Sequence, residues 1–271
     1  MISFPNCKIN LGLNVIQKRN DGYHDLESVF FPVRLYDALE IVAAENETQL
    51  STSGIDVGNP EDNLCLKAFH LLKKDYPQIP EINIHLHKTI PTGAGLGGGS
   101  ADAAFMLLLL NKKFNLEIPG GKLYVYALQL GSDCPFFLLN KPCFGTSRGE
   151  ILEPISLSLS GYKIILIYPA LHINTSAAFA VIKPRIPAKN VRQIVAQPIE
   201  TWKNELHNDF ENFVFENYPQ VKEIKDELYG AGAVYASMSG SGSTVFGIFN
   251  KNSVIDYPSK SGYFTKTIDL E

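Results

Sequence analysis

The sequence has few cysteines and no long apolar run. Its four cysteines form no C-x-x-C pair, which argues against a disulfide framework or a zinc site and predicts reduced thiols in a cytoplasmic protein. The longest apolar stretch is far shorter than the roughly 20 residues of a membrane-spanning helix. The first residues lack the basic and then apolar regions of a signal peptide. We therefore expect neither a membrane partner nor export.

An excess of basic charge is also missing. The chain carries 24 Lys and Arg against 28 Asp and Glu, a net charge of −4, so nothing indicates a nucleic-acid partner. A composition of 45% hydrophobic and 19% charged residues is ordinary for a globular enzyme. The 271 residues allow one large domain or two smaller ones. The sequence changes character near residue 152, so we predict domains at 1–152 and 153–271.

One glycine-rich stretch dominates the sequence. Residues 91–101 read Pro-Thr-Gly-Ala-Gly-Leu-Gly-Gly-Gly-Ser-Ala, between an alternating strand pattern at 82–87 and an apolar helical pattern at 103–110. Glycines present bare backbone N–H groups, and a helix N-terminus attracts phosphate. Ser100 is the predicted N-cap, with Asp102 in the first turn. The pattern predicts a phosphate-binding loop, since a plain turn needs only one or two glycines.

Two common phosphate motifs differ from this loop. The Walker A pattern needs a lysine after its second glycine, but here Gly99-Ser100 follows. A G-x-G-x-x-G pattern begins at Gly93, yet the acidic residue expected about 20 positions later is represented only by Glu117 in a turn-like segment. A dinucleotide-dependent oxidoreductase is therefore a disfavoured alternative.

Polar residues of unusual type line the first strand. Residues 8–16 alternate, with Lys8, Asn10 and Asn14 on one face. Asparagine is poor in strands, which argues against a simple solvated face. The next turn contains Asp-Gly-Tyr-His at 21–24. Its aromatic residues either stack on a flat ligand or are ordinary exposed turn residues.

Three further segments complete the prediction. Asp62 is the predicted cap of a helix over 63–74, and Asp133, in a tight turn before Pro135, is a candidate acid or base or else an Asx-turn residue. Ser-Gly-Ser-Gly-Ser at 239–243 is a second anion-binding turn or a plain hairpin. The remaining predicted helices are 102–114, 121–130, 175–181, 202–215 and 220–230. The predicted later strands are 162–168, 233–238 and 244–249, and 183–197 is a predicted loop.

Taken together, the lysine strand, the 91–101 loop and the 239–243 loop resemble, in order, the motifs of the GHMP small-molecule kinases. The resemblance extends to about residue 250. Further matching segments are Asp21-Gly22-Tyr23-His24, Glu61-Asp62-Asn63-Leu64, Gly131 to Phe137 and Gly149-Glu150. The Asp-Gly-Tyr-His turn is similar to members that phosphorylate a cytidine-diphosphate-linked polyol, rather than to mevalonate or homoserine kinases. Cys7 and Cys134 stand where the family often has Ala and Val.

The resemblance implies an α+β fold of two domains. The N-terminal, ATP-binding domain is expected to be like ribosomal protein S5 domain 2, and the C-terminal, substrate-binding domain ferredoxin-like. The implied cofactors are ATP and Mg²⁺. The implied reaction phosphorylates the 2-hydroxyl of an erythritol that carries cytidine diphosphate, in non-mevalonate isoprenoid synthesis. We expect the chain to be a monomer or a homodimer. Another GHMP kinase and a non-catalytic nucleotide sensor are the alternatives.

The resemblance also implies residue roles. Asp133 accepts the hydroxyl proton, Lys8 neutralises charge and orients Asp133, and Asn10 contacts the erythritol. Ser100 lies near Mg²⁺. The implied ATP-binding residues are Pro91, Thr92, Gly93, Ala94, Gly95, Leu96, Gly97, Gly98, Gly99, Ser100, Ala101 and, on the adenosine side, Asn63. The other implied substrate-binding residues are Tyr23, His24, Thr175, Phe179, Gly240 and Ser241.

Overall fold

The computed structural model describes residues 1–257 and 260–270. The chain divides into two compact units. Unit 1 comprises 1–7, 35–92 and 97–141, whereas unit 2 comprises 8–34, 93–96 and the chain from 142 onward. Because neither unit is a single stretch of chain, they do not test the predicted boundary at residue 152, which stays a prediction.

Unit 1 is a four-stranded sheet with helices. Strands and helices are numbered in chain order. The strands are β1 (Ile2–Ser3), β4 (Ala38–Ala43), β5 (Gln49–Gly54) and β6 (Ile82–Lys88), and the helices are α1 (Leu64–Asp75), α2 (Gly98–Lys113), α3 (Gly120–Leu130) and α4 (Cys134–Leu139). The sheet order is β1-β4-β6-β5, and β5 runs parallel to β6. Alternation along β6 buries Ile82, Ile84 and Leu86 in one core with α1 and α2.

Two helix starts in unit 1 differ from the prediction. Helix α2 begins at Gly98 behind Gly97, whose φ of +71° places it in the left-handed region. The predicted N-cap, Ser100, therefore lies inside the first turn, and Asp102 lies beyond it. At α1 the cap is Asn63, whose Oδ1 accepts the N–H of Cys65 at 2.9 Å. Asp62 was the wrong residue, because it belongs to the preceding 3₁₀ turn.

Unit 2 carries two further four-stranded sheets. Two of the strands, β2 (Asn6–Lys18) and β3 (His24–Tyr36), lie in unit 2 except for two residues at one end of each. The others are β7 (Cys143–Thr146), β8 (Ile151–Pro154), β9 (Tyr162–Tyr168), β10 (Tyr235–Met238), β11 (Val245–Asn250) and β12 (Phe264–Asp269). The sheet orders are β2-β3-β7-β8 and β10-β11-β9-β12. The helices are α5 (Thr175–Val181), α6 (Val191–Val195), α7 (Trp202–Glu205), α8 (Phe210–Asn217) and α9 (Pro219–Gly230). Helices α8 and α9 share a core with β9, β10 and β11.

Unit 2 departs from the prediction in three places. The predicted loop over 183–197 contains α6, which begins with a capping box between Asn190 and Gln193. The predicted helix over 202–215 is broken between α7 and α8, where Asn208 Nδ2 donates to the carbonyl oxygens of Met238 and Gly240 at 2.8 Å. Strand β12 was not predicted.

The four cysteines are buried and are free thiols. The part of the chain that the structure describes contains no helix long and apolar enough to cross a membrane.

Candidate active site

The polar face of β2 is buried rather than solvated. Lys8 and Asn10 are only 3% and 2% exposed. The Lys8 ammonium donates to Asn10 Oδ1 at 2.5 Å and to the carbonyl oxygen of Gly95 at 3.2 Å. It also lies 5.4 Å from the centroid of the Phe30 ring. A buried ammonium must be compensated, so these acceptors fix where its charge lies.

Asn10 is held from two sides. Its side-chain amide donates to Ser28 Oγ at 2.9 Å, and its backbone N–H donates to Ser239 Oγ at 3.2 Å. The Ser28 hydroxyl in turn donates to the carbonyl oxygen of Gly12 at 2.6 Å. This chain of hydrogen bonds fixes the Asn10 amide so that its oxygen faces Lys8.

Within unit 2, the segment 93–96 packs against the 239–243 loop. Ser239 Oγ donates to the carbonyl oxygen of Gly95 at 2.9 Å, and the Thr244 N–H donates to that of Ala94 at 3.2 Å. The Lys8 N–H donates to the carbonyl oxygen of Leu96 at 2.9 Å. The first part of the glycine-rich stretch is thus fixed by both the lysine strand and the second loop.

Gly95 has no room for a side chain. Its φ is +79°, and a Cβ built there would lie 2.1 Å from the carbonyl oxygen of Ser239. The close approach of two backbones therefore requires glycine at this position.

In unit 1, Ser100 and Asp133 flank the starts of two helices. Ser100 is half-buried in the first turn of α2, and half-buried Asp133 directly precedes α4. Burial raises the pKa of the Cys134 thiol to about 12, against a smaller opposing effect of Ser100. The thiol is therefore protonated at neutral pH and unreactive.

Unit 1 also contains a buried ionic triad that was not predicted from the sequence. The Lys88 ammonium pairs with the carboxylates of Asp37 and, at 2.7 Å, Asp102. The second oxygen of Asp37 accepts the N–H groups of Thr89 and Ile90 at 2.6 and 2.9 Å. Burial raises the pKa of Asp102 to about 7, against the opposing effect of Lys88. The triad fixes the end of β6 to α2.

A cavity of about 140 Å³ adjoins this triad. Three of the predicted ATP-binding residues, Asn63, Thr92 and Gly99, line it together with Lys88 and Asp102. The alternation of β6 indicates that Lys88 is buried, because it places this residue on the same face as the core isoleucines. Asp37 lies 51 residues away from Lys88 in the sequence, and no local pattern indicates that the two residues pair.

Two residues of the predicted substrate site, His24 and Phe179, are in contact in unit 2. The His24 ring stacks on Phe179 with centroids 5.0 Å apart and planes 17° apart. Burial, with help from Lys18, lowers the pKa of His24 and keeps it neutral. Tyr23 is 55% exposed. Thr175 Oγ1 and Ser241 Oγ are hydrogen-bonded at 2.9 Å.

Two models of known protein families match this chain. The model of the GHMP kinases N terminal domain matches residues 63–141, and the model described as GHMP kinases C terminal matches residues 187–257. A Bacteroides fragilis protein named 4-diphosphocytidyl-2-C-methyl-D-erythritol kinase is 53% identical over 254 residues, which cover 92% of each chain. The chain belongs to the GHMP kinase family.

Solved structures of GHMP kinases have the same fold. The crystal structure of 4-(cytidine 5'-diphospho)-2C-methyl-D-erythritol kinase is 33% identical, with a TM-score of 0.79, and the match covers 91% of this chain and 89% of that one. Homoserine kinase from Cytophaga hutchinsonii is 16% identical, with a TM-score of 0.73 and coverage of 98% and 94%. The second match concerns the fold alone. The predicted α+β GHMP kinase fold is confirmed, while the roles of individual residues stay predictions.

Proposed function

We propose that this chain transfers the γ-phosphoryl group of ATP to the 2-hydroxyl of 4-diphosphocytidyl-2-C-methyl-D-erythritol. The observation that carries the proposal is 53% identity, over nine-tenths of the chain, to a kinase of that name. Membership of the GHMP kinase family contradicts the alternative of a dinucleotide-dependent oxidoreductase. We further propose a cytoplasmic monomer or homodimer.

ATP binding is assigned to the 91–101 loop and to the cavity near α1. The bare N–H groups of the loop and the free N–H groups at the start of α2 suit the phosphates. Asn63, Thr92 and Gly99 line the cavity, which suits the adenosine end. Asn63 already caps α1 with its Oδ1, so its Nδ2 is the group that we assign to the nucleotide.

Mg²⁺ fits this site as an ion carried by ATP. It binds through substrate phosphates, keeps several waters and needs only one or two protein oxygens. The half-buried Ser100 hydroxyl is such an oxygen, and the described residues contain no group of three or more His, Cys, Asp or Glu that could hold a metal. When bound, Mg²⁺ neutralises charge on the β- and γ-phosphates.

Two side chains are assigned to the chemistry. Asp133 accepts the proton of the substrate hydroxyl as it attacks, a role typically worth about 10²–10⁴-fold in rate. Lys8 supplies a positive charge where negative charge develops, in place of the lysine that the loop lacks. The hydrogen bonds from Lys8 to Asn10 and Gly95 hold this ammonium in a fixed position, which is what electrostatic stabilisation requires. The Asn10 amide is then assigned to the erythritol.

Recognition of the acceptor is assigned to its cytosine ring. We propose that the base stacks between Tyr23 and Phe179 while His24 hydrogen-bonds its edge, with Thr175, Gly240 and Ser241 nearby. Since His24 lies on a face of Phe179, binding on that face requires its imidazole to turn aside. The lowered pKa of His24 favours the neutral ring, which both donates and accepts a hydrogen bond.

An assay of ADP release tests the proposal. We expect ADP release with ATP, Mg²⁺ and the cytidyl substrate, but not with homoserine or mevalonate as the acceptor. Asp133→Asn should lower the rate of release by about 10²–10⁴-fold. ATP binding without ADP release would instead identify a nucleotide sensor. Tyr23→Leu and Phe179→Leu should raise KM for the cytidyl substrate by roughly tenfold, at about 1–3 kcal/mol for each stacking contact. Tyr36→Leu, which removes another partly exposed tyrosine, is the control.

A further inference from the structure

The turn between β7 and β8 lies against the Asp-Gly-Tyr-His hairpin. We propose that Arg148 in this turn is a positioning residue for cytosine recognition, because its guanidinium holds one face of the Tyr23 ring and leaves the opposite face for the base. This inference rests on the proposed function, in which Tyr23 stacks on cytosine. It also gives a role to the Gly149-Glu150 motif, which the phosphoryl-transfer chemistry leaves unused.

The stacking contact itself is direct. The Arg148 guanidinium carbon lies 4.5 Å from the centroid of the Tyr23 ring. Arginine stacks on aromatic faces through its planar, delocalised cation. Tyr23 is 55% exposed and stands next to Gly22 at the hairpin tip. Without a partner such a ring samples several rotamers, so the guanidinium reduces the entropy that the ring loses when a base binds.

Glu150 fixes Arg148 in turn. Its Oε2 accepts the Arg148 backbone N–H at 2.7 Å, and its Oε1 lies 3.9 Å from the Arg148 Nε. Oε1 also accepts the Ser147 hydroxyl at 3.2 Å. One carboxylate therefore sets both the turn and the direction in which the guanidinium leaves it.

The turn is also bonded to the hairpin that carries Tyr23. The N–H of Leu26 donates to the carbonyl oxygen of Ser147 at 2.7 Å, and the Arg19 guanidinium donates to Ser147 Oγ at 2.9 Å. These bonds cross from the 146–149 turn to both sides of the 20–23 turn. Tyr23 and Arg148 therefore keep a fixed mutual position, as a base-stacking platform requires.

Three variants test the inference. Arg148→Met keeps side-chain length but removes the planar cation, Arg148→Lys keeps the charge but not the plane, and Arg192→Met removes an exposed arginine that pairs with Glu153. The measurements are kcat, KM for each substrate, melting temperature, and the calorimetric Kd for cytidine 5'-diphosphate in the presence of a saturating non-hydrolysable ATP analogue. The binding measurement does not depend on turnover.

We expect both Arg148 variants to raise KM for the cytidyl substrate and Kd for cytidine diphosphate by about two- to fivefold, as an exposed cation–π contact implies. In both Arg148 variants, kcat and KM for ATP should stay at wild-type values. The control variant Arg192→Met should keep wild-type values of all these constants. Full recovery in Arg148→Lys would overturn stacking in favour of simple charge attraction. Unchanged Kd in Arg148→Met, beside a raised Kd in Tyr23→Leu, would overturn the inference while leaving the base-binding role of Tyr23 intact. An unchanged Kd in both Arg148→Met and Tyr23→Leu would overturn the inference and also the base-binding role of Tyr23.

Discussion

Replacing Gly95 by alanine should force apart the two loops of unit 2. The new Cβ would lie 2.1 Å from the carbonyl oxygen of Ser239 and 3.1 Å from that of Gly242. Both neighbours are backbone atoms, which cannot rotate away as a side-chain tip can. One loop must therefore shift by about an ångström to reach ordinary contact distance, against the dense packing of a buried region.

The expected destabilisation has two parts, and Gly93 separates them. Placing alanine at a left-handed φ costs about 1–2 kcal/mol, and this applies to both positions, with φ of +65° and +79°. At Gly93 the nearest atom to a Cβ is His172 Nδ1 at 3.4 Å, which is ordinary contact. Only Gly95→Ala adds the overpacking term, typically about 1–3 kcal/mol. The Gly95 variant should therefore be less stable than the Gly93 variant by that second term.

Thermal unfolding and steady-state kinetics give the test. A difference of about 1–3 kcal/mol corresponds to several degrees in melting temperature at about 2–4 °C per kcal/mol. Because the Gly95 carbonyl also accepts the Lys8 ammonium, kcat should fall further in Gly95→Ala than in Gly93→Ala. Equal melting temperatures and equal kcat for the two variants would refute the argument from close backbone approach.

Further predictions concern the buried charges and His24. Lys8→Met and Asp133→Asn should each lower kcat by orders of magnitude, and the double variant by much less than the product of the two. Lys88→Met should lower the unfolding free energy by about 3–5 kcal/mol in chemical denaturation, because it leaves buried carboxylates uncompensated. Because the pKa of Asp102 is raised, the folded chain keeps the Asp102 carboxyl proton to a higher pH than the unfolded chain does. The free energy of unfolding of the wild type should therefore decrease as the pH rises from about 4 to about 7. Asp102→Asn should flatten that slope in urea melts at pH 5 and 8. Because burial lowers the pKa of His24, KM for the cytidyl substrate should rise only when the pH is taken below the range in which histidine ordinarily titrates.

Local periodicity was enough to predict much of unit 1. The alternation before the glycine-rich stretch and the apolar pattern after it correspond to β6 and α2. The same alternation carries Lys88 onto the buried face, although the residue was not predicted to be part of the site. Its partner Asp37 was beyond prediction, because nothing in the spacing of the two residues indicates that β4 pairs with β6.

Long-range contacts explain the failures in unit 2. The predicted helix over 202–215 has a suitable local pattern, yet its middle is used to bind distant backbone. Asn208 bonds Met238 and Gly240, and the Asp209 carboxylate accepts the N–H of Val15. These bonds compensate for the break in the helix. Helix α6 is different, since Asn190 and Gln193 form a capping box that is readable in the sequence.

The candidate active site predicted from β2 shows the same limit. Alternation placed Lys8 and Asn10 on one face, and asparagine's poor strand propensity pointed to a special role. The positions of the Lys8 and Asn10 side chains are fixed by hydrogen bonds to Gly95, Ser28 and Ser239. No pattern in the sequence joins these positions, because the pairing arises only from the arrangement of the sheets.

The separation of these partners along the chain has a consequence for synthesis. Every segment of unit 1 has left the ribosome soon after residue 141 has been translated. The backbone bond of Asn10 to Ser239 instead closes a loop of 229 residues, and such distant pairings form late and slowly. A nascent chain or fragment that ends before residue 239 thus contains every residue of unit 1, but the lysine strand still lacks the serine that anchors it. Phosphorylating activity should accordingly appear only after nearly the whole chain has been made.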